Sequence, residues 1–287
     1  MDHTTRRVRY VFLCATPFIA FGAVAVRALR IPGVYHAIGG VLFAAISIAA
    51  WTLGARAIRA DVQSRRQLAL AGALLVAPFA MVALFWVGLG GPWAATAAEN
   101  QMRYLVLIAM ALAATGGCVV LKEALNQAGE RLYSTLGFAA VMLACSLYLI
   151  WDAFVFGRHF AQEHGGEIPQ AIVSLGPFIN LLLGLAGALT YVATAAFAAS
   201  LARTGWLGRK ASRAYIIVSF IALFFIVILV MEFPDTKAVS QPWYVIPGFF
   251  MVGIPALPWI MPAWLGVVLL RRAGDDPPMA DTDRLAK

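Results

Sequence analysis

The chain is a succession of long apolar runs separated by short polar joints. Eight runs reach or approach the roughly 20 residues that a helix needs to cross about 30 Å of hydrocarbon: 10–29, 34–53, 68–89, 104–121, 132–156, 171–201, 214–231 and 245–270. None alternates with the period of two that marks a barrel strand, and a helix satisfies its own backbone in lipid. The pattern therefore predicts an all-α, polytopic membrane helical bundle: a single eight-helix transmembrane domain over 1–272 and a disordered cytoplasmic tail over 273–287.

Two runs depart from a plain helix. The sixth would be about 46 Å long, beyond the hydrocarbon thickness, and Gly176-Pro177 inside it predicts a bend, since proline removes a helical hydrogen bond. The eighth contains Pro247, Pro255, Pro258 and Pro262 and is not expected to be regular throughout. The segment 157–170 reads as an outer loop.

Composition agrees with the pattern. Of 287 residues 62% are hydrophobic and 13% charged, against about 45–50% and about 25% in soluble domains. These figures exclude a soluble globular enzyme and a disordered chain. The three cysteines sit inside apolar runs and form no disulfide framework.

The net charge of +8 has an orientational meaning. With the N-terminus inside, seventeen of the 22 Lys and Arg residues fall in cytoplasmic segments, leaving Arg27, Arg30, Arg103, Arg158 and Lys237 outside. Basic flanks resist translocation, so both termini are expected in the cytoplasm of a bacterial inner membrane. The charges are spread over five short segments rather than gathered in one basic patch, and no nucleic-acid partner is expected. The first run is long enough to span and reads as an uncleaved span rather than a signal peptide.

In lipid the polar residues carry the information, because an unpaired group there costs several kcal/mol. On the sixth run Val173, Pro177, Asn180, Gly184, Gly187, Tyr191 and Thr194 recur at steps of three and four, so they share a face expected to point inward. On the fifth, Cys145, Tyr148 and Asp152 do the same. Asp152 is the one acidic residue inside a run, and an intramembrane carboxylate is by default a functional-site hypothesis; the alternative is a solvated helix-end carboxylate paired with Arg158 or Arg103. Glu232 closes the seventh run at the same side, and Pro255 and Pro258 share a face of the eighth.

These residues converge in one reading. Asp152, Tyr148, Asn180, Pro177, Tyr191, Glu232, Pro255 and Pro258 would line a periplasm-facing cavity between the fifth, sixth and eighth spans. It would bind or transport a small neutral or amphipathic molecule, such as a lipid or a quinone-like compound. The alternative is a non-catalytic accessory or structural subunit of a membrane complex, with a membrane protein partner or a second copy of the chain packed on its Ala/Gly-rich helices.

Other chemistry finds little support. One carboxylate without a buried His, Lys or paired Ser argues against an intramembrane hydrolase, and nucleotide-binding and nucleophile-elbow motifs are missing. No cofactor is expected, as the four histidines lie outside the runs or at their edges. His159, Glu163, His164 and Glu167 are weak metal candidates whose spacing fits no zinc-enzyme pattern. Trp86, Trp93, Trp151, Trp206, Trp243 and Trp264 read as an interfacial aromatic belt. The orientation is checked by a reporter fused after Lys287, which is expected to read as cytoplasmic; a periplasmic signal would refute the even span count.

Overall fold

The computed structural model describes residues 3–27, 33–59, 62–90, 95–232 and 256–274. The described residues are helical with short connections: α1 (His3–Arg27), α2 (Val34–Ile58), α3 (Gln63–Val82), α4 (Ala97–Gln127), α5 (Leu132–Glu163), the short α6 (Gln170–Ser174), α7 (Gly176–Arg203), α8 (Arg209–Glu232) and α9 (Ala256–Gly274). A π-helical turn, Ala83–Val87, prolongs α3. Six helical stretches are long and apolar enough to cross a membrane: Thr4–Val24, Val34–Ile58, Gln63–Val87, Ala97–Gln127, Leu132–Glu163 and Gln170–Arg203. The seventh expected run corresponds to α8, and the eighth to α9 only from Ala256 onward; the earlier part, with Pro247 and Pro255, lies outside the described residues, as does the tail from 275.

Local chemistry moves several expected boundaries. Helix α4 begins seven residues before the expected span because Thr96 and Glu99 form a capping box: the Thr96 hydroxyl accepts from the Glu99 amide at 3.3 Å and the Glu99 carboxylate from the Thr96 amide at 2.7 Å. Helix α5 continues to Glu163, so the first half of the expected loop 157–170 is helical. The sixth run is interrupted beside Gly176-Pro177, where the bend is expected. It breaks at Leu175, and Pro177 falls in the first turn of α7, where its missing N–H costs nothing.

Connections are short, so neighbours run antiparallel. Helix α3 packs on α2 and α4, α4 on α5, α5 on α7 and α7 on α8. Helix α9 closes the bundle by lying against α3, α2, α7 and α1. Its approach to α3 requires two glycines: a Cβ on Gly72 would meet the Gly266 carbonyl oxygen at 2.7 Å, and one on Gly266 would meet the Gly72 oxygen at 2.6 Å. Backbone therefore crosses backbone, the arrangement that small residues allow between membrane helices.

The end of the bundle where α1 starts and α9 finishes is rich in Arg and Lys. There Arg6 donates to the Arg271 carbonyl at 2.8 Å and Arg272 to the Gly205 carbonyl at 3.2 Å. Helix α4 terminates at the same end with Gly129 at φ +87°, a left-handed conformation that lets the Glu130 amide close on the Leu125 carbonyl at 3.0 Å. This places the buried Glu130 carboxylate over the first turn of α5, accepting the Tyr133 and Ser134 amides at 3.0 Å each. The same carboxylate accepts the Ser200 hydroxyl of α7 in a very short contact.

Burial pushes the Glu130 pKa up, but the Ser200 hydroxyl, the two amides and Arg203 outweigh it, and the net pKa lies below the usual glutamate range. A carboxyl with a depressed folded pKa contributes stability above its unfolded pKa and loses it as pH falls through the folded value. Glu130→Gln is expected to cost about 1–3 kcal/mol at neutral pH. In thermal melts the gap from wild type should narrow as pH is lowered below the carboxylate range; a gap independent of pH would contradict the ionised clasp.

Candidate functional site

The interior away from the basic end contains the polar residues singled out on α5. Cys145, Tyr148 and Asp152 share its buried face as the spacing predicts, with Asp152 0% exposed. Neither oxygen of Asp152 has a hydrogen-bond partner among the described residues. Desolvating an ionised carboxylate without a partner costs several kcal/mol, so the group has to carry a proton or meet a donor or cation.

Its surroundings are aromatic. Tyr148, one turn before Asp152, lies with its ring 6.5 Å from that of Trp259 on α9, and among the described residues its hydroxyl has no partner in bonding geometry. Tyr104 of α4 is equally buried, its hydroxyl also unbonded, and it stacks near Phe156 at 5.5 Å and His159 at 5.7 Å. Trp151 reaches Asn180 of α7 through a long 3.5 Å hydrogen bond and packs at 6.2 Å on Trp86. Trp86 and Trp151 are thus core residues, not the interfacial belt expected of them, because they face α4 and α7 across the bundle.

The π-helical turn shapes the wall beside this cluster. It shifts the Gly88 amide to the Ala83 carbonyl at 3.1 Å, which releases the Leu84 carbonyl, and the Tyr35 hydroxyl takes it at 2.6 Å. Tyr35 occupies the space where a Cβ on residue 88 would lie, so only glycine fits there. The Gly90 amide bonds to Val87, and the buried Arg103 fills the freed Trp86 carbonyl at 3.1 Å while its guanidinium lies 5.4 Å from the Trp86 ring. Arg103 is therefore an interior residue of the π-turn wall rather than the outer-loop residue expected.

The structure brings Asp152, Tyr148 and, through Trp151, Asn180 together, with Pro258 buried beside Trp259. Tyr191 packs instead with Ile226 and Met261 on the α8 side. The most deeply buried line of α7 is Ile179, Leu183, Ala186, Thr190, Ala193 and Phe197, one position round from the polar series, while Val173 is exposed. Gly187, Tyr191 and Thr194 of the polar series are buried as well, so that face also turns toward the bundle along the second half of α7. Pro255 lies outside the described residues, as do the side chains of Pro177 and Glu232.

Among the described residues no three His, Cys, Asp or Glu side chains gather to hold a metal. His159 lies against Tyr104, His164 approaches the Phe160 carbonyl at 2.9 Å, and Glu163 and Glu167 are exposed. Below the cluster, Thr190, Thr194, Cys118, Phe197 and Trp259 line a cavity of about 10 Å³, room for about one water.

Sequence reasoning passed over Tyr104 and Trp259 and placed Arg103 among the outer residues. Tyr104 had a signal, since with Leu107, Ala111, Ala114, Cys118 and Leu121 it lies on one helical face, all of it buried. No known protein family, curated protein or solved structure matches the chain.

If Asp152 contributes only cost to the fold, Asp152→Leu is expected to melt at or above the wild-type temperature, by up to about 1–3 kcal/mol of added stability. A marked drop in melting temperature would instead assign Asp152 a bonded structural role.

Proposed function

We propose that this chain is an integral inner-membrane protein with eight spanning helices and both termini cytoplasmic. It binds or transports a small neutral or amphipathic molecule from the periplasmic side, at the Asp152 cluster. The even number of crossings is supported by the bond from Arg6, at the start of α1, to the carbonyl of Arg271, near the end of α9. The cytoplasmic assignment is supported by the charge bias, because Arg and Lys concentrate at that end.

One observation carries the ligand reading: Asp152 is fully buried, and both its oxygens are without a bond among the described residues. Natural membrane interiors seldom retain such a group without a use for it. The unbonded hydroxyls of Tyr104 and Tyr148 and the Trp259 indole N–H supply donors from α4, α5 and α9. A ligand with a polar head and an apolar body suits this lining, and a donor on the head would satisfy the carboxylate.

The accessory-subunit reading has its own support. The interior gap beside Thr190 and Trp259 is about 10 Å³, far below the roughly 300 Å³ or more of a ligand pocket. The readings are separated by mass spectrometry of small molecules retained by the protein in lipid nanodiscs. A species held by wild type and absent from correctly folded Asp152→Leu is expected; identical complements in both would leave the accessory role.

A further inference from the structure

The basic end contains a second feature, independent of Asp152. Helix α8 packs along α7, and α1 along α2 and α9. Trp264 of α9 lies between α1 and α8: its indole donates to the Cys14 carbonyl of α1 at 2.9 Å, its ring approaches Phe18 at 6.5 Å, and it packs on the Tyr191, Ile226 and Met261 cluster with Tyr215 of α8. This half-buried tryptophan is the floor of a lateral furrow. Exposed apolar side chains occur on both neighbouring helices, Val11 and Phe18 on α1 and, in line with Tyr215 and Ala222, Val218 and Phe225 on α8.

The furrow ends in positive charge. Arg271 follows Trp264 by seven residues, two turns along the same face and about 10 Å away. Its guanidinium lies 5.1 Å from the Tyr10 ring, and Arg6 is anchored on its carbonyl. Arg272 is tied to Gly205 and faces Trp206. Both side chains are exposed, and neither forms an ion pair with a described carboxylate. An apolar furrow capped by arginines at the membrane surface has the chemistry of a phospholipid with an anionic headgroup.

We propose that the furrow between α1 and α8 is a binding site for an anionic phospholipid of the cytoplasmic leaflet. The phosphate is held by Arg271 and Arg272 with Arg6 beside them, and an acyl chain lies over Trp264 toward Phe18. The aromatic contacts of Arg271 and Arg272 hold the guanidinium groups at the mouth, which lowers the entropy lost on binding. Asp275 and Asp276 follow in the sequence and could serve as internal partners for the same arginines, so the test neutralises them as well.

The full chain in detergent is titrated with phosphatidylglycerol, phosphatidylcholine and inorganic phosphate and read by native mass spectrometry. Wild type is expected to retain phosphatidylglycerol over phosphatidylcholine, and R271Q/R272Q to lose about tenfold or more of that affinity, from about 1 kcal/mol per basic residue near the surface. R65Q/R66Q, which removes equal charge at the start of α3, should lose little. R271K/R272K keeps the charge and should retain binding, which controls for folding, and D275N/D276N should bind at least as well as wild type. Equal losses in the two glutamine doubles would overturn the site, as would equal retention of both lipids, displacement by phosphate alone, or a loss on neutralising the aspartates.

Discussion

In hydrocarbon there is no water to receive a stray carbonyl, and that constraint organises this bundle. At several places where the helical ladder ends or breaks, a side chain from another helix takes the freed carbonyl. Tyr35 takes the Leu84 carbonyl and Arg103 the Trp86 carbonyl at the π-helical turn. At the basic end Arg6 and Arg272 do the same for Arg271 and Gly205. Each bond joins elements distant in sequence, so satisfying the backbone and fixing the tertiary arrangement are a single event. Asp152 stands out against this background because both oxygens of a buried carboxylate lack a hydrogen-bond partner among the described residues.

The second constraint is steric. Gly72 and Gly266 let α3 and α9 touch backbone to backbone, and Gly54 brings α2 within reach of Leu270. The close approach draws α9 into the middle of the bundle, where most of its side chains are buried, and this brings Trp259 against Tyr148. The aromatic surroundings of Asp152 thus depend on glycines that lie nearer the basic end.

Much of this was legible in the residue pattern. The helices follow the apolar runs, and the i, i+4 relation of Tyr148 and Asp152 put both on one buried face. Less legible was anything decided between helices. Arg103 flanks an apolar run like any interfacial arginine, and only the carbonyl released across the bundle by the π-turn explains its burial. Trp86 and Trp151 have the composition of a belt and the location of a core, since hydropathy does not distinguish lipid from protein as an apolar neighbour. On α7 the polar series turns inward at Gly187, Tyr191 and Thr194, yet the most buried line lies one residue round, in Ile179, Leu183 and Ala186. Thr190 and Thr194 bond their own backbone at 2.8 Å each, so their hydroxyls exert no pull on the orientation of the helix.

Helix α9 follows in sequence every helix it packs against. During synthesis α2, α3 and α7 leave the ribosome before α9, and the seam that will receive α9 faces lipid or the insertion machinery until α9 is made. The Gly72 surface of α3 is then a groove without its ridge, open to whichever membrane helix passes by. Biogenesis accordingly couples the core to a helix made after its partners: the packing around Gly72 is completed when α9 arrives rather than as α3 is inserted.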